Sequence, residues 1–258
     1  MFSKDHGRFC WHDLMSTDPA GSQAFYGAMF GWQVEPMPLG DGVYHMLKSG
    51  ERGLGGIVPL DAADGLPTHW MPYVAVDDIA AACERTTELG GRVCVPATDL
   101  GFGVMAVVTD PQGGAFSFWQ DKQGLGAPAP KGTPHVFSWD ECLSTDAAAG
   151  AEFYAAIFGW RPESGEMPVG GTTAVYRVFW HGDDHFAGIM DLPPQALAQG
   201  ACTHWLCYVT VPDVDAYAAK AAALDANVFC PPTDIPGVGR FCVIADPQGA
   251  MLAMYAPA

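Results

Sequence analysis

Two stretches of the sequence place a tryptophan and a carboxylate two residues apart, and a histidine and a tyrosine follow each pair further along the chain. Side chains at alternate positions of a strand share one face of the sheet. A carboxylate beside an imidazole fixes the tautomer of the ring and raises its basicity, which suits acid–base catalysis. The predicted catalytic residues are Asp13 and His69 in the first stretch and Glu141 and His204 in the second.

The aromatic and apolar neighbours of these residues are predicted to line a ligand-binding face. Arg240 begins a strand and is expected to meet an anionic group at the rim. A structural interpretation stays open for the histidines, which can bond a loop carbonyl, and for the tryptophans and tyrosines, which often pack a core. The predicted ligand-binding residues are Trp11, Met71, Tyr73, Trp139, Leu206, Tyr208 and Arg240.

Composition and charge exclude several classes of function. The chain has 258 residues, of which 29 are acidic and 12 basic, for a formal net charge of −17. This charge repels nucleic acid and anionic lipid, so neither is an expected partner. No apolar run is long enough for a membrane span, the N-terminus lacks the apolar segment of a signal peptide, and the eight cysteines form no C-x-x-C pair. We therefore expect a cytoplasmic protein.

An internal repeat organises the chain. Four segments recur in the same order, and a Gly/Pro-rich stretch separates the two copies, which is typical of a linker. We predict domains at 1–122 and 133–258 with a linker at 123–132. The matching segments are Trp11–Asp18 with Trp139–Asp146, Phe25–Trp32 with Phe153–Trp160, Thr68–Val74 with Thr203–Val209, and Asp110–Gly113 with Asp246–Gly249.

Each copy alternates between patterns typical of strands and of helices. Apolar residues at helical spacing and capping Asp residues predict two helices per copy, each placed after a strand and before further strands. In the first copy the predicted helices are 20–30 and 79–89, and the predicted strands are 9–16, 44–48, 53–59, 69–76, 92–95, 104–109 and 115–120. The interpretation is an α+β fold with the order βαβββ–βαβββ in each copy.

This order resembles the vicinal oxygen chelate superfamily, which includes glyoxalase I, the bleomycin-resistance proteins and the extradiol dioxygenases. The segments that carry the resemblance are Phe25–Trp32, with its F-Y-x-x-x-F-G-W pattern, and the turn Asp110–Gly113, together with their second copies. The resemblance implies two tandem glyoxalase-like domains, each an eight-stranded open cup with helices outside.

The resemblance also implies where a divalent metal would bind. Metal-dependent members supply His, His and Glu from the first, fifth and eighth strands of a domain. Those positions fall here on residues that are not usual ligands of such ions: Trp11, Met71 and Ser117 in the first copy, and Trp139, Leu206 and Ala253 in the second. We therefore predict neither a metal nor another cofactor.

The residues favour a metal-independent enzyme, of the isomerase, cyclase or lyase type, acting on a small apolar or aromatic metabolite. The alternative is a non-catalytic protein that sequesters a drug, as in bleomycin resistance, for which an acidic chain would suit a cationic ligand. A metal-dependent glyoxalase or dioxygenase with a displaced site built from His69, Asp13 or His185 ranks lowest. A small molecule is the expected partner, and the chain is expected to be a monomer by internal pseudo-dimerisation or a homodimer.

Overall fold

The computed structural model of the chain describes residues 3–40, 42–169 and 172–258, which form sixteen strands and five α-helices. The elements of the first repeat are β1 (Phe9–Ser16), α1 (Pro19–Phe30), β2 (Gln33–Leu39), β3 (Gly42–Ser49), β4 (Arg52–Pro59), β5 (His69–Ala75), α2 (Ile79–Glu88), β6 (Arg92–Asp99), β7 (Gly103–Thr109) and β8 (Ala115–Asp121). Those of the second are β9 (Phe137–Ser144), α3 (Ala147–Phe158), β10 (Arg161–Val169), β11 (Thr172–His181), β12 (Asp184–Asp191), α4 (Pro194–Ala198), β13 (His204–Thr210), α5 (Val214–Ala223), β14 (Asn227–Ile235), β15 (Gly239–Ala245) and β16 (Met251–Pro257).

The strands build two curled, open sheets of eight strands with the same order. The order is β2-β3-β4-β1-β5-β8-β7-β6 in the first repeat and β10-β11-β12-β9-β13-β16-β15-β14 in the second. In each sheet the first strand of a βαβββ module pairs in parallel with the last, as in β1 with β4 and β5 with β8. These findings confirm the predicted α+β fold. Among the described residues, no helix has the length and apolar character that crossing a membrane requires.

The first helix begins one residue before the predicted start and ends at the predicted residue. The Asp18 carboxylate accepts the backbone N–H of Gly21, Pro19 occupies the first turn, and Gly31 ends the helix in the left-handed conformation at φ +71°. Asp146 and Gly159 do the same for α3. The capping residues therefore fix where the chain leaves β1 and β9.

Prolines explain why the sequence pattern does not predict one strand and ends another one too early. The pattern predicts no strand over Gln33–Leu39, which contains Pro36 and Pro38, and it predicts that β6 stops before Pro96. Both β2 and β6 are edge strands, paired on one side only. A proline is tolerated on an edge because its missing N–H would face away from the neighbouring strand.

The chain folds into two compact units, and each unit takes elements from both repeats. The unit that we name the Tyr26 unit comprises Trp11–Met71, Pro128–Ser138 and Leu206–Ala258. The Tyr154 unit comprises Met1–Cys10, Pro72–Ala127 and Trp139–Trp205. Each has one hydrophobic core, to which both repeats contribute. The predicted division into domains 1–122 and 133–258 stays a prediction.

A buried tyrosine–aspartate bond joins the two repeats inside each unit. The Tyr26 hydroxyl donates to Asp246 Oδ2 at 2.8 Å and accepts the Trp70 Nε1 proton at 3.0 Å. Oδ1 of Asp246 accepts the backbone N–H groups of Gln248 and Ala250. The two repeated sequence patterns, F-Y-x-x-x-F-G-W and D-P-Q-G, therefore meet at one carboxylate.

The Tyr154 unit repeats this arrangement with the copies exchanged. Tyr154 donates to Asp110 Oδ2 at 2.8 Å and accepts from Trp205 Nε1 at 3.0 Å. The backbone N–H groups of Gln112 and Gly114 bind Oδ1 of the same carboxylate. Burial raises the pKa of both carboxyl groups, Asp110 and Asp246, and the hydrogen bonds oppose that shift.

These pKa shifts predict how stability depends on pH. Because the folded pKa of Asp110 and Asp246 is raised, their contribution to stability is fully present below the unfolded pKa and is lost as pH rises through the folded pKa. The free energy of unfolding of the wild type, measured relative to an Asp110→Asn/Asp246→Asn variant by urea denaturation, should fall as pH increases from about 4.

Asp215→Asn provides a control of opposite sign. Hydrogen bonds from Arg240 lower the pKa of the Asp215 carboxyl, so its contribution is present above the unfolded pKa and lost as pH falls. The stability of the wild type relative to this variant should rise with pH. A stability difference that rises with pH for the double variant as well would contradict the assignment.

Candidate functional site

The alternation of β1 separates a core face from an opposite face, which we call the inner face. Leu14 is fully buried in the core of the Tyr26 unit, and the ring of His12 stacks on Phe137 with centroids 3.9 Å apart. Trp11 and Asp13 lie on the inner face and are hydrogen-bonded to each other. The predicted parity of this strand therefore holds.

A tyrosine from β3 completes a hydrogen-bonded group on the inner face of the first repeat. Trp11 Nε1 lies 3.0 Å from Asp13 Oδ1 and 2.7 Å from the Tyr44 hydroxyl oxygen, so its single N–H is shared between them. The Tyr44 hydroxyl donates to the same Asp13 oxygen at 2.5 Å. Asp13 is only 4% exposed, and these two donors offset the cost of burying its charge.

The second repeat brings the corresponding residues together, but its tryptophan donates to the tyrosine hydroxyl and the distances are longer. Trp139 Nε1 donates to the Tyr176 hydroxyl at 3.0 Å, and that hydroxyl lies 3.4 Å from Glu141 Oε2. Burial, and then the nearby charge of Glu141, raise the pKa of Tyr176 well above its ordinary value. The tyrosine therefore keeps its proton and acts as a donor to the carboxylate.

Two glycines make room for these tyrosines. Gly56 pairs with Asp13 across β4 and β1, and Gly188 pairs with Glu141 across β12 and β9. A Cβ added at Gly56 would lie 2.1 Å from the Tyr44 hydroxyl oxygen, and one at Gly188 would lie 2.1 Å from that of Tyr176. Only the absence of a side chain lets each phenol cross the strand and reach the carboxylate.

The predicted histidines are fixed by the backbone. His69 Nδ1 lies 2.7 Å from the Pro67 carbonyl oxygen, and His204 Nδ1 lies 2.9 Å from that of Cys202. Since a carbonyl only accepts, Nδ1 is the donor and Nε2 of a neutral ring keeps its lone pair. The Nδ1 proton of each ring therefore goes to a loop carbonyl and not to Asp13 or Glu141, and the catalytic role of both rings stays a prediction.

The other predicted ligand-binding residues have contrasting environments. Met71, Tyr73, Leu206 and Tyr208 are all buried, and Trp11 and Trp139 are partly exposed. Arg240 donates through Nε and Nη2 to Asp215 and through Nη1 to Asp234, and these bonds raise its pKa. An anionic ligand would compete with two carboxylates there, and the role of Arg240 stays a prediction.

The residues at the family's metal-ligand positions do not fit a His–His–Glu set. The side chains of Trp11 and Trp139 offer only an N–H group, which each already uses in a hydrogen bond. The side chains of Leu206 and Ala253 have no atom that could coordinate a metal. Met71 supplies a soft thioether, and Ser117 supplies a buried neutral hydroxyl that has no hydrogen-bond partner within the described residues. These six side chains therefore do not provide the ligands that the metal-dependent members use.

Sequence reasoning missed Tyr44 and Tyr176, which the structure places at the centre of each group. The signal was present, because each tyrosine precedes a glycine of β4 or β12 at the same spacing: Tyr44 with Gly56, and Tyr176 with Gly188. The intervening residues differ between the copies, so the pair does not stand out as a motif.

Two family models match the two repeats. The model described as the Glyoxalase/Bleomycin resistance protein/Dioxygenase superfamily matches residues 138–254, and the Glyoxalase-like domain matches residues 11–119. CFP32 of Mycobacterium tuberculosis (strain CDC 1551 / Oshkosh), which its name assigns provisionally to the glyoxylases, is 39% identical over 96% of this chain and 94% of its own. The chain belongs to the glyoxalase/bleomycin resistance protein/dioxygenase superfamily.

Other proteins resemble this chain either in the sequence of one part of it or in fold alone. The anthracycline biosynthesis protein DauV of Streptomyces sp. (strain C5) is 31% identical over 47% of each chain. The Mn(II)-bound glyoxalase from Novosphingobium aromaticivorans matches 99% of this chain and 83% of its own with a TM-score of 0.63 and 16% identity. The 2,3-dioxygenase LapB from Pseudomonas sp. KL28 matches 98% and 94% with a TM-score of 0.65 and 15% identity. At these identities the structural matches show the fold alone.

The close approach of Tyr44 to Gly56 predicts a coupled pair of substitutions. Gly56→Ala should displace Tyr44 from Asp13 and cost about 1–3 kcal/mol, as overpacking of a buried position does. Tyr44→Val removes the ring that the new Cβ meets, so adding Gly56→Ala to it should cost less than in the wild type. Urea denaturation of the four proteins measures the coupling, and strictly additive changes would contradict the packing.

Proposed function

We propose that this superfamily member binds a small, mostly apolar or aromatic molecule on the inner face and transfers a proton on it without a metal. The observation that carries the proposal is a buried carboxylate that accepts a tyrosine hydroxyl in each repeat, while the neighbouring tryptophan donates to that hydroxyl and, in the first repeat, to the carboxylate as well. Asp13 and Glu141 would be the proton acceptors. A partly exposed Trp11 or Trp139 ring would offer a surface for stacking.

The histidines would supply the second group that proton transfer needs. His69 and His204 hold their Nδ1 proton against a carbonyl, which leaves Nε2 to accept or return a proton. An isomerase, a cyclase or a lyase each needs a proton removed at one atom and returned at another or lost with a leaving group. A carboxylate and an imidazole on one face of the sheet would supply the two groups that such a reaction needs.

The names of the partial relatives support an aromatic ligand. DauV and the DnrV protein of Streptomyces peucetius are both named for anthracycline biosynthesis, and each matches this chain over 132 residues. Anthracyclines are built on a planar polycyclic ring system that carries ketone and phenol oxygens. We therefore infer that the ligand of this chain belongs to a comparable class of planar aromatic ketones.

A non-catalytic sequestering protein is the second candidate. It is favoured by the tight bonding of Asp13, whose Oδ1 already receives both Trp11 and Tyr44. A carboxylate that is satisfied in this way can hold the stacking residues in place without taking part in chemistry. Binding and turnover therefore have to be measured separately.

The proposal predicts binding and proton exchange with a small ketone whose ring is fused to an aromatic ring. The chain should bind 2-tetralone and speed exchange of its acidic C–H protons in D₂O, which proton NMR measures, and pretreatment with EDTA should not remove the effect. Asp13→Asn/Glu141→Gln should lower this exchange by about 10²-fold, which is the low end for loss of a general base, and leave the Kd within about threefold.

Stacking is tested with Trp11→Ala and Trp139→Ala, whose affinities are followed by fluorescence titration. At least one of these variants should bind 2-tetralone or 1,4-dihydroxyanthraquinone more weakly than the wild type. Binding without exchange would favour the sequestering protein. Failure of the wild type to bind either compound, or unchanged affinity in both tryptophan variants, would overturn the proposal.

A further inference from the structure

The inner faces of the two repeats differ at one pair of facing positions. In the first repeat Lys48 of β3 lies opposite Gly53 of β4, and in the second Trp180 of β11 lies opposite His185 of β12. The positions are equivalent, because Lys48 also pairs with Gln33 at the start of β2 as Trp180 pairs with Arg161 at the start of β10. The second repeat therefore has two rings where the first has a cation and a glycine.

The glycine of the first repeat is covered by the indole of its own tryptophan. A Cβ at Gly53 would lie 2.9 Å from Cη2 of Trp11, so the indole lies directly against this backbone. Lys48 is held in an ion pair with Glu35 at 2.9 Å. The indole of Trp11 therefore occupies the space that an aromatic side chain at position 53 would need.

In the second repeat three rings form what we call the aromatic cluster: Trp139, Trp180 and His185. The His185 ring lies 4.9 Å from the Trp180 ring, and it meets the Trp139 ring edge-on at 6.1 Å. The Arg161 guanidinium lies 5.6 Å from the Trp180 ring centre. The cluster is continuous with the Tyr176–Glu141 group, because Trp139 Nε1 donates to Tyr176.

The indole N–H of Trp180 lacks a hydrogen-bond acceptor among the described residues. Its Nε1 is buried and has no acceptor in the part of the chain that the structure describes. The corresponding N–H groups of Trp11, Trp139 and Trp205 all have acceptors. A buried donor with no acceptor is uncommon in a folded protein, and a bound molecule with an oxygen at this point would satisfy it.

We infer that the aromatic cluster is the specificity site of the chain for planar aromatic molecules that carry a ketone or phenol oxygen, which accepts the Trp180 Nε1 proton. The inference rests on the proposed function and narrows it to the second repeat. The rings of Trp139 and His185 provide aromatic surface, and the indole N–H distinguishes an oxygenated ring system from a plain hydrocarbon.

Two probes of matched shape test the role of the N–H. 1,4-Dihydroxyanthraquinone carries oxygens around three fused rings, and anthracene has the same rings without oxygen. Trp180→Phe keeps an aromatic ring and removes the donor. It should weaken binding of the dihydroxyanthraquinone by about tenfold, as loss of one hydrogen bond does, and change binding of anthracene by less than about threefold.

His185→Gly gives the second repeat the residue of the first and tests the aromatic surface. It should weaken binding of both probes, whereas Lys48→Ala at the position equivalent to Trp180 should change neither. Circular dichroism and the thermal midpoint of each variant establish that it is folded. If Trp180→Phe does not fold, a Trp180→His variant, which retains a ring N–H, should bind the dihydroxyanthraquinone more tightly than Trp180→Leu.

The outcomes separate this inference from the proposed function. If the wild type binds the dihydroxyanthraquinone but neither Trp180→Phe nor His185→Gly alters its Kd, the inference is wrong and the proposed function stands. If Trp180→Phe weakens both probes equally, the N–H has no role in specificity. If the wild type binds 2-tetralone but not the dihydroxyanthraquinone, the inference alone fails; if it binds neither of these two compounds, both the inference and the proposed function fail.

Discussion

The bond between a helix tyrosine and the aspartate of the D-P-Q-G turn is the contact on which the rest of the structure depends. Tyr26 reaches Asp246, and Tyr154 reaches Asp110, so each bond joins a residue of one repeat to a residue of the other. A buried carboxylate is tolerated only when it is fully hydrogen-bonded. The turn amides and the phenol meet that requirement together, and each core therefore forms from half of each copy.

This constraint involves the core side of each sheet and leaves the residues of the inner faces outside the two cores. The helix-side residues of β1 and β9, such as Leu14 and Cys142, are committed to the cores. The alternate residues Asp13 and Glu141 are instead bound by side chains of their own modules, Trp11 and Tyr44 or Tyr176. The cores of the two units can therefore remain similar while the residues of the inner faces differ. One such difference lies at two equivalent positions, Gly53 in the first repeat and His185 in the second.

Much of the fold could be predicted, because helix caps and the alternation of residues along strands are visible in short stretches of sequence. Helix α1 has its capping Asp18 and terminating Gly31, and the strand parity of β1 follows from alternation alone. The edge strand β2 was not predictable in this way, since Pro36 and Pro38 oppose strand formation unless one side is unpaired, and that depends on the tertiary position. The pairing of Tyr26 with Asp246 is likewise beyond local reasoning, because 220 residues separate the partners.

The candidate site could also be predicted only where its contacts follow from short stretches of sequence. Trp11 and Asp13 share a strand, so their contact follows from parity, whereas Tyr44 reaches them only because Gly56 lies between the strands. The structural interpretation of His69, in which the ring bonds a loop carbonyl, agrees with the Pro67 contact. The contacts of Trp180 depend on the pairing of β10, β11 and β12 and had no local signal.

The most direct test of this account is to produce residues 1–122 and 133–258 as separate chains and to measure their unfolding and association by circular dichroism and analytical ultracentrifugation. If each core needs both a helix tyrosine and a turn aspartate from different copies, neither segment will be a folded monomer. Mixing the two should then restore a one-to-one complex with cooperative unfolding. A monomeric 1–122 segment that unfolds cooperatively on its own, with the stability of the intact chain, would contradict the account.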